Sequence, residues 1–199
     1  MEAGLKLDKT FFQRDPIICA KELIGCTLGF AGCDGIIVET EAYAAAGDRA
    51  CHTWSRPSAR EFVAKHQPGT AYVYLNYGMH WLFNFLTRGG ENAGFVLIRS
   101  LMPLNGIEIM QRRRKRQKSE DLCNGPGKLT QALGIIGEHH GIDPLSAIGW
   151  KLCPRKTEFG EISTSTRIGI SRAREYPWRF FLTGSAYVSL PRPQTANHA

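Results

Sequence analysis

No stretch of this 199-residue chain is apolar for long enough to cross a bilayer, and the leading MEAGLKLDKTFFQRDP lacks the unbroken apolar core of a secretory signal. A cytoplasmic protein is therefore expected, nucleoid-associated if bacterial. The six cysteines, Cys19, Cys26, Cys33, Cys51, Cys123 and Cys153, include no C-x-x-C pair, which argues against zinc and for reduced thiols. Cys51 beside His52 is a weak ligand or nucleophile pair, because neighbours on an extended chain point to opposite faces. Internal repeats are absent. So is a phosphate-binding P-loop: in LCNGPGKLTQAL, Leu122 stands where that motif needs its first glycine and Leu129 where it needs Ser or Thr. Acidic side chains are in deficit, 18 Asp plus Glu against 25 Lys plus Arg, which leaves a net charge of +7. Such a field favours polyanionic partners, nucleic acid above all, with an acidic membrane surface or plain solubility as the other uses.

What is present describes a globular chain. Charged residues at 22% and hydrophobic ones at 43% are enough to bury a core, and the length fits a single domain over 1–199 with flexible termini. Asp15, Pro16 and Gly25 bracket a helix near 16–24 by the rules of capping. CTLGFAGCDGIIVETEAY reads as two strands around a Gly-rich reversal, with Asp34–Gly35 marking the turn. Segment 44–69 is loop-like, with Gly47, Pro57, Pro68 and Gly69. GTAYVYLNYGMHWLFNFL (69–86) reads as a β-hairpin reversing at Gly78, with Tyr77 at or beside its tip. Alternation puts Tyr72, Tyr74 and Asn76 on one face and Val73, Leu75 and Tyr77 on the other. GFVLIRS (94–100) is a buried central strand. A helix is expected over 105–119 with Ile107 and Met110 inward, and another from KLTQALGI. RIGIS, WRFFLTG and AYVSL read as short strands. Strands with helices between, and no regular βαβ alternation, predict an α+β fold on an antiparallel sheet.

Several residue sets suit chemistry. Glu39, Glu41 and Tyr43 share a strand face, so either carboxylate is a candidate general base; the pattern does not choose between them, and solvated or ion-paired acids read the same way. The basic run RRRKRQK, with Arg112 and Arg113, is open to two readings: phosphate contacts, or a solvated helix end matched to the macrodipole. The turn GPGK presents backbone N–H groups and Lys128 at a helix start, as a single phosphate would need, or is a plain helix entry. His139 and His140 read as surface loop residues.

Taken in order, VETEAY (38–43), DRACH (48–52), PGTAYVYLNYGMHWLFN (68–84), GFVLIRSL (94–101) and LCNGPGKLTQALGI (122–135) resemble the alkyladenine (3-methyladenine, methylpurine) DNA glycosylases, over residues 8–190 and at family-like spacing. The resemblance implies a curved antiparallel sheet surrounded by helices, with a protruding hairpin. It implies a monofunctional enzyme of base-excision repair that hydrolyses the N-glycosidic bond of alkylated or deaminated purines in duplex DNA. Water is the co-substrate, no metal or organic cofactor is needed, and a monomer is expected. Because the target base must leave the stack, Tyr77 would fill the gap it leaves. By the same resemblance Glu41 is the catalytic carboxylate, Glu39 a structural one, and Arg99 the arginine near the attacking water and the target phosphate. Tyr43, His52 and Tyr74 would wall the base pocket, and Asn84 would crowd the purine 2-position and reject guanine. Met79, Lys128, Arg112 and Arg113 would lie along the DNA backbone.

The family pattern commonly has Met-Phe where this chain has Ala64–Lys65, an apolar residue at Asn76 and glycine at Ala45, which bears on the pocket rim and hairpin tip. Two other functions fit part of the same pattern. A protein that binds distorted duplexes without cutting them would not need Glu41, His52 and Arg99 intact. A bifunctional glycosylase needs an amine nucleophile, and no lysine falls within the catalytic motifs.

Overall fold

Two aspartates start the chain into helix. In the computed structural model, which describes residues 7–90, 92–155 and 159–190, Asp8 accepts from the N–H groups of Thr10 and Phe11 ahead of α1 (Lys9–Phe12). Asp15 accepts from Ile17 N–H ahead of α2 (Pro16–Leu23), the helix expected near 16–24. At four residues, α1 is too short to carry a periodic signal. The termini expected to be flexible lie outside the described residues.

The strands β1 (Thr27–Phe30) and β2 (Cys33–Ala44) form a hairpin. Its reversal is at Ala31 and Gly32, both at positive φ (51° and 79°), and not at Asp34–Gly35. That pair lies inside β2, where Gly35 answers a different demand: a Cβ there would meet the Met102 carbonyl oxygen at 2.6 Å. The segment expected to be loop-like holds two helices, α3 (His52–Ser55) and α4 (Pro57–Lys65). Pro57 there opens a helix at its first position instead of breaking one.

Next come β3 (Ala71–Asn76), β4 (His80–Gly89) and β5 (Asn92–Asn105), the last extending well beyond the strand read at 94–100. The helix expected over 105–119 is shorter, α5 (Ile107–Arg114), because Lys115 turns left-handed (φ 51°) at its end; Met110 is buried as expected. α6 (Pro126–Leu133) starts within the GPGK turn. The chain continues through β6 (Trp150–Cys153), β7 (Ile162–Ser165) and β8 (Arg179–Leu182). β8 is the WRFFLTG strand, whereas no strand is expected from the sequence at β6 or β7. RIGIS and AYVSL are irregular, not strands. Their amides serve side chains in place of a ladder: Ile168 N–H donates to Glu41 and Ser189 N–H to Glu39, both at 2.7 Å.

The eight described strands form one antiparallel sheet, in the order β3-β4-β5-β2-β1-β6, with β8 also paired to β2 and β7 to β8. Beside β2, β1 pairs along residues 33–36 and β8 takes over along 39–41, so the carboxylate-bearing stretch has β5 on one side and β8 on the other. One sheet face carries Ala42, Val96, Ile98, Phe83 and Phe85 into the main core with residues of α1, α2, α5 and α6. On the other, Tyr72, Leu86 and Phe95 pack with Cys51 and with Ala59 and Phe62 of α4. Against this second cluster the α+β domain leaves a cleft.

Candidate active site

Register assembles the site. Tyr72 stands opposite Asn84, Asn84 opposite Leu97, Leu97 opposite Glu41 and Glu41 opposite Arg179, a row running across β3, β4, β5, β2 and β8. Directly opposed residues share a face, so a carboxylate, an amide and a phenol are brought together from distant sequence. The β2–β5 register shifts around Glu39: Glu39 pairs with Ser100 and Thr40 with Ile98, leaving Arg99 as the extra residue of a bulge. Bulges re-aim side chains, and here the guanidinium meets both glutamates.

Glu39 is fully buried. It accepts from Arg99 Nε (2.8 Å), Arg179 Nε (2.7 Å), Ser100 Oγ (2.8 Å), Ser189 Oγ (2.8 Å) and Ser189 N (2.7 Å). Burial pushes its carboxyl up, but the Arg99 and Arg179 charges and the Ser189 bonds outweigh that and hold it below the ordinary carboxylate range. Glu41 is also fully buried and is arranged differently. Oε1 accepts from Ile168 N–H (2.7 Å) and lies 3.2 Å from Arg99 Nη1, while among the described residues Oε2 accepts only the Tyr43 hydroxyl (2.7 Å). A carboxylate has about four acceptor positions, so one on Oε2 is left over. Burial opposes the charge of Arg99, but Glu41 and Glu39 hold it protonated more firmly than an ordinary arginine.

Above Glu41 opens a cleft of about 570 Å³. Its lining includes Tyr43, His52, Tyr74, Asn84, Tyr77 and Arg99, every residue expected in the base pocket, the wedge and the Arg99 position. Glu41 itself does not reach the cleft surface; Tyr43, Arg99 and Ile168 cover it, and all three line the cleft. Asn76, where the family pattern is commonly apolar, is in the lining too, whereas Ala64 and Lys65 are exposed on α4 away from it.

Aromatic rings fix the walls. Tyr72 stacks on Phe95 (centroids 4.3 Å apart) and His52 meets Tyr74 edge-on at 4.4 Å. Asn84 donates Nδ2 to the Tyr72 carbonyl oxygen (3.1 Å), which leaves its Oδ1 as the group for the cleft. His52 Nδ1 lies 3.0 Å from the Tyr72 hydroxyl. Burial, helped by the Arg56 charge, pushes the His52 ring down to about 4. The unfolded chain takes up that proton first, so His52 withdraws stability as pH falls from about 6.5 towards 4. The His52 ring resonances are accordingly expected to stay those of neutral imidazole down to about pH 5 in an NMR titration, with Arg56→Ala raising the midpoint. A wild-type midpoint near 6.5 would mean that the ring is open to water.

At the hairpin tip, Tyr77 and Gly78 both take positive φ (50° and 67°), and Met79 N–H closes the turn on Asn76 O (3.1 Å). Tyr77 is 80% exposed and Met79 70%. A left-handed residue does not obey strand alternation, so Tyr77 joins Tyr74 and Asn76 in lining the cleft rather than turning away with Val73 and Leu75.

One buried pair behind the cleft wall does not stand out from sequence. Arg167 and Asp48 form a two-pronged ion pair (2.6 and 2.9 Å) with both side chains fully buried. Arg167 also donates to the carbonyls of Ala42 and Ala173, and its guanidinium sits 4.7 Å from the Tyr43 ring centroid and 5.1 Å from that of Trp178. It thereby backs the Tyr43 wall and anchors the loop that delivers Ile168 to Glu41. Asp48 opens the DRACH motif, the one local signal that pointed to it.

Of the residues expected along DNA, Met79 flanks Tyr77 at the tip, and Lys128 lies two residues past cleft-lining Pro126, its Nζ on Asn124 Oδ1 (2.8 Å). Arg112 is exposed on α5. Arg113 turns inward and donates to Ala132 O (2.9 Å) at the carbonyl end of α6. None of Arg112, Arg113 and Lys128 lines the cleft. Among the described residues, no helix is long and apolar enough to cross a membrane and no three His, Cys, Asp or Glu side chains gather to hold a metal ion.

Residues 10–186 match the model of the methylpurine-DNA glycosylase family. Similar curated proteins include three provisionally named 3-methyladenine DNA glycosylase. One, from a strain of Rhodopseudomonas palustris, is 46% identical over 188 residues, covering 94% of this chain and 92% of that protein. Another, from Bradyrhizobium diazoefficiens, is 44% identical over 191 residues (96% and 94%). The third, from Agrobacterium fabrum, is 46% identical over 184 residues (92% of each).

Proposed function

Because the chain belongs to the methylpurine-DNA glycosylase family, we propose that its cleft receives an alkylated or deaminated purine nucleotide swung out of duplex DNA, and that Glu41 directs water at the sugar to release the base. The observation that carries this reading is Glu41 beneath an aromatic cleft, fixed by Ile168 and Arg99 through one oxygen and capped only by a phenol on the other. Water would take the acceptor position on Oε2 that the Tyr43 hydroxyl leaves over. The C1′–N bond breaks through an oxocarbenium-like state with its electron pair going to the base, water adds at C1′ and its proton passes to Glu41, as in inverting glycoside hydrolysis; a cationic alkylated base departs neutral, and a neutral deaminated base departs as its anion and takes a proton from solvent. An alkylated purine is electron-poor or cationic, so it stacks well between Tyr43, His52 and Tyr74 and leaves readily. Neutral His52 adds no positive charge against a cationic base. On this reading Asn84, in the cleft lining, would crowd the purine 2-position and reject guanine.

Extrusion is costly, by about a few kcal/mol for an intact pair. Tyr77, rigid, exposed and set on a tightly fixed turn, suits filling the vacated stack. The test is single-turnover base release from duplexes carrying 3-methyladenine-type lesions, hypoxanthine or ethenoadenine. Release is expected with the strand intact until heat or alkali is applied, and Tyr77→Ala is expected to weaken binding to an abasic-site duplex. Tight binding with no base release would support recognition without catalysis. Strand breaks without heat or alkali, with an adduct trapped by borohydride, would support a bifunctional enzyme.

A further inference from the structure

A second cleft, of about 720 Å³, adjoins the first. Its lining includes Arg49, Trp54, Arg172, Glu175 and Tyr176, and Arg49 and Arg172 also line the base pocket. The two arginines are exposed, and neither is ion-paired with a carboxylate among the described residues. Trp54 is 49% exposed, with the Arg49 guanidinium 5.7 Å from its ring centroid. The opposite wall is stiffened: Tyr176 stacks on Trp178 (4.2 Å, 14°), and Trp178 in turn receives the buried Arg167.

We propose that this second cleft is a nucleotide subsite, holding the unpaired neighbour of the extruded nucleotide with its phosphate between Arg49 and Arg172 and its base on the Trp54 ring. The inference rests on the function proposed above and extends it from one swung-out nucleotide to two. Unpaired guanidiniums beside an exposed indole match the two chemistries a nucleotide offers, an anion and a π-face. Sharing both arginines with the base pocket means that a strand leaving one cleft enters the other directly. Stacking on a ring reads no base edges, so the subsite would accept any neighbour, preferring one already mispaired.

The test places 2-aminopurine on either side of the lesion in turn and follows its fluorescence on binding to Glu41→Gln protein, which holds DNA without consuming it. Quenching is expected on one side only and is expected to vanish with the added Trp54→Ala change. In otherwise wild-type protein, Trp54→Ala is expected to raise the DNA concentration for half-maximal base release by roughly 5- to 100-fold, with the saturating rate changing far less and Trp54→Phe restoring most of the affinity. Trp54 is half exposed, so circular dichroism should show its variants folded. No quenching on either side, with Trp54→Ala saturating like wild type, would overturn the subsite while leaving the glycosylase reading intact. Quenching without base release by the wild type would do the reverse.

Discussion

Glu41→Gln is expected to slow base release by roughly 10²–10⁴-fold, the contribution typical of a positioned general base, with affinity for a lesion duplex changed little. The substitution is nearly isosteric, and the surrounding bonds tolerate it. The amide oxygen in the Oε1 position still accepts from Ile168 N–H and Arg99, and the Tyr43 hydroxyl, a free rotor, can turn from donating to Oε2 to accepting from the new NH₂. The fold is expected to be kept and the proposed proton acceptor lost. Single-turnover rates and equilibrium binding measured on the same duplex separate the two effects. Retention of most of the activity would remove Glu41 from the chemistry, and lost binding would make it a structural anchor like Glu39.

Asp48→Ala is expected to cost roughly 3–5 kcal/mol of folding stability, because it strands the Arg167 charge where no water reaches it. For a chain of this size that corresponds to a fall in Tm of roughly 6–20 °C. The size comes from what remains, not from what the intact pair contributes: a buried ion pair can be close to neutral overall, while half of one is expensive. Arg167 would keep the Ala42 and Ala173 carbonyls, which take two of its bonds but balance none of its charge. Urea melts of wild type and variant measure the loss directly, and a difference under 1 kcal/mol would show that the guanidinium finds another route to solvent.

Local rules made some of this molecule legible and left the rest silent. The Asp15–Pro16 cap, the β3–β4 reversal at Gly78 and the apolar run of β5 read correctly because their causes lie within a few residues. Asp34–Gly35 misled because a glycine admits two uses, tight reversal or close approach of another strand, and only the position of β5 decides. α3 and α4 were hidden behind Pro57, whose meaning depends on whether a helix begins at it or ends before it. RIGIS and AYVSL have strand-like composition, yet buried carboxylates on β2 claim their amides. The different surroundings of Glu39 and Glu41 were unreadable from alternation for the same reason: they come from Arg179, Ser189 and Ile168, and the Asp48–Arg167 pair likewise joins residues 119 apart. Arg113 belonged to a run whose charge was plain from sequence but whose direction was set by the end of α6.

Some partners of the two glutamates arrive late. Both acids lie in the first quarter of the chain, yet Ile168, Arg179 and Ser189 follow them by 127, 140 and 150 residues. A polypeptide still emerging from the ribosome can hold these carboxylates with Tyr43, Arg99 and Ser100 alone, and β2 without its β8 neighbour. The full set of donors to the two carboxylates is complete only once translation has passed Ser189, so a prematurely terminated product would carry the hairpin and much of the basic surface without it. Such a fragment would be able to touch DNA without being armed to cut a base from it.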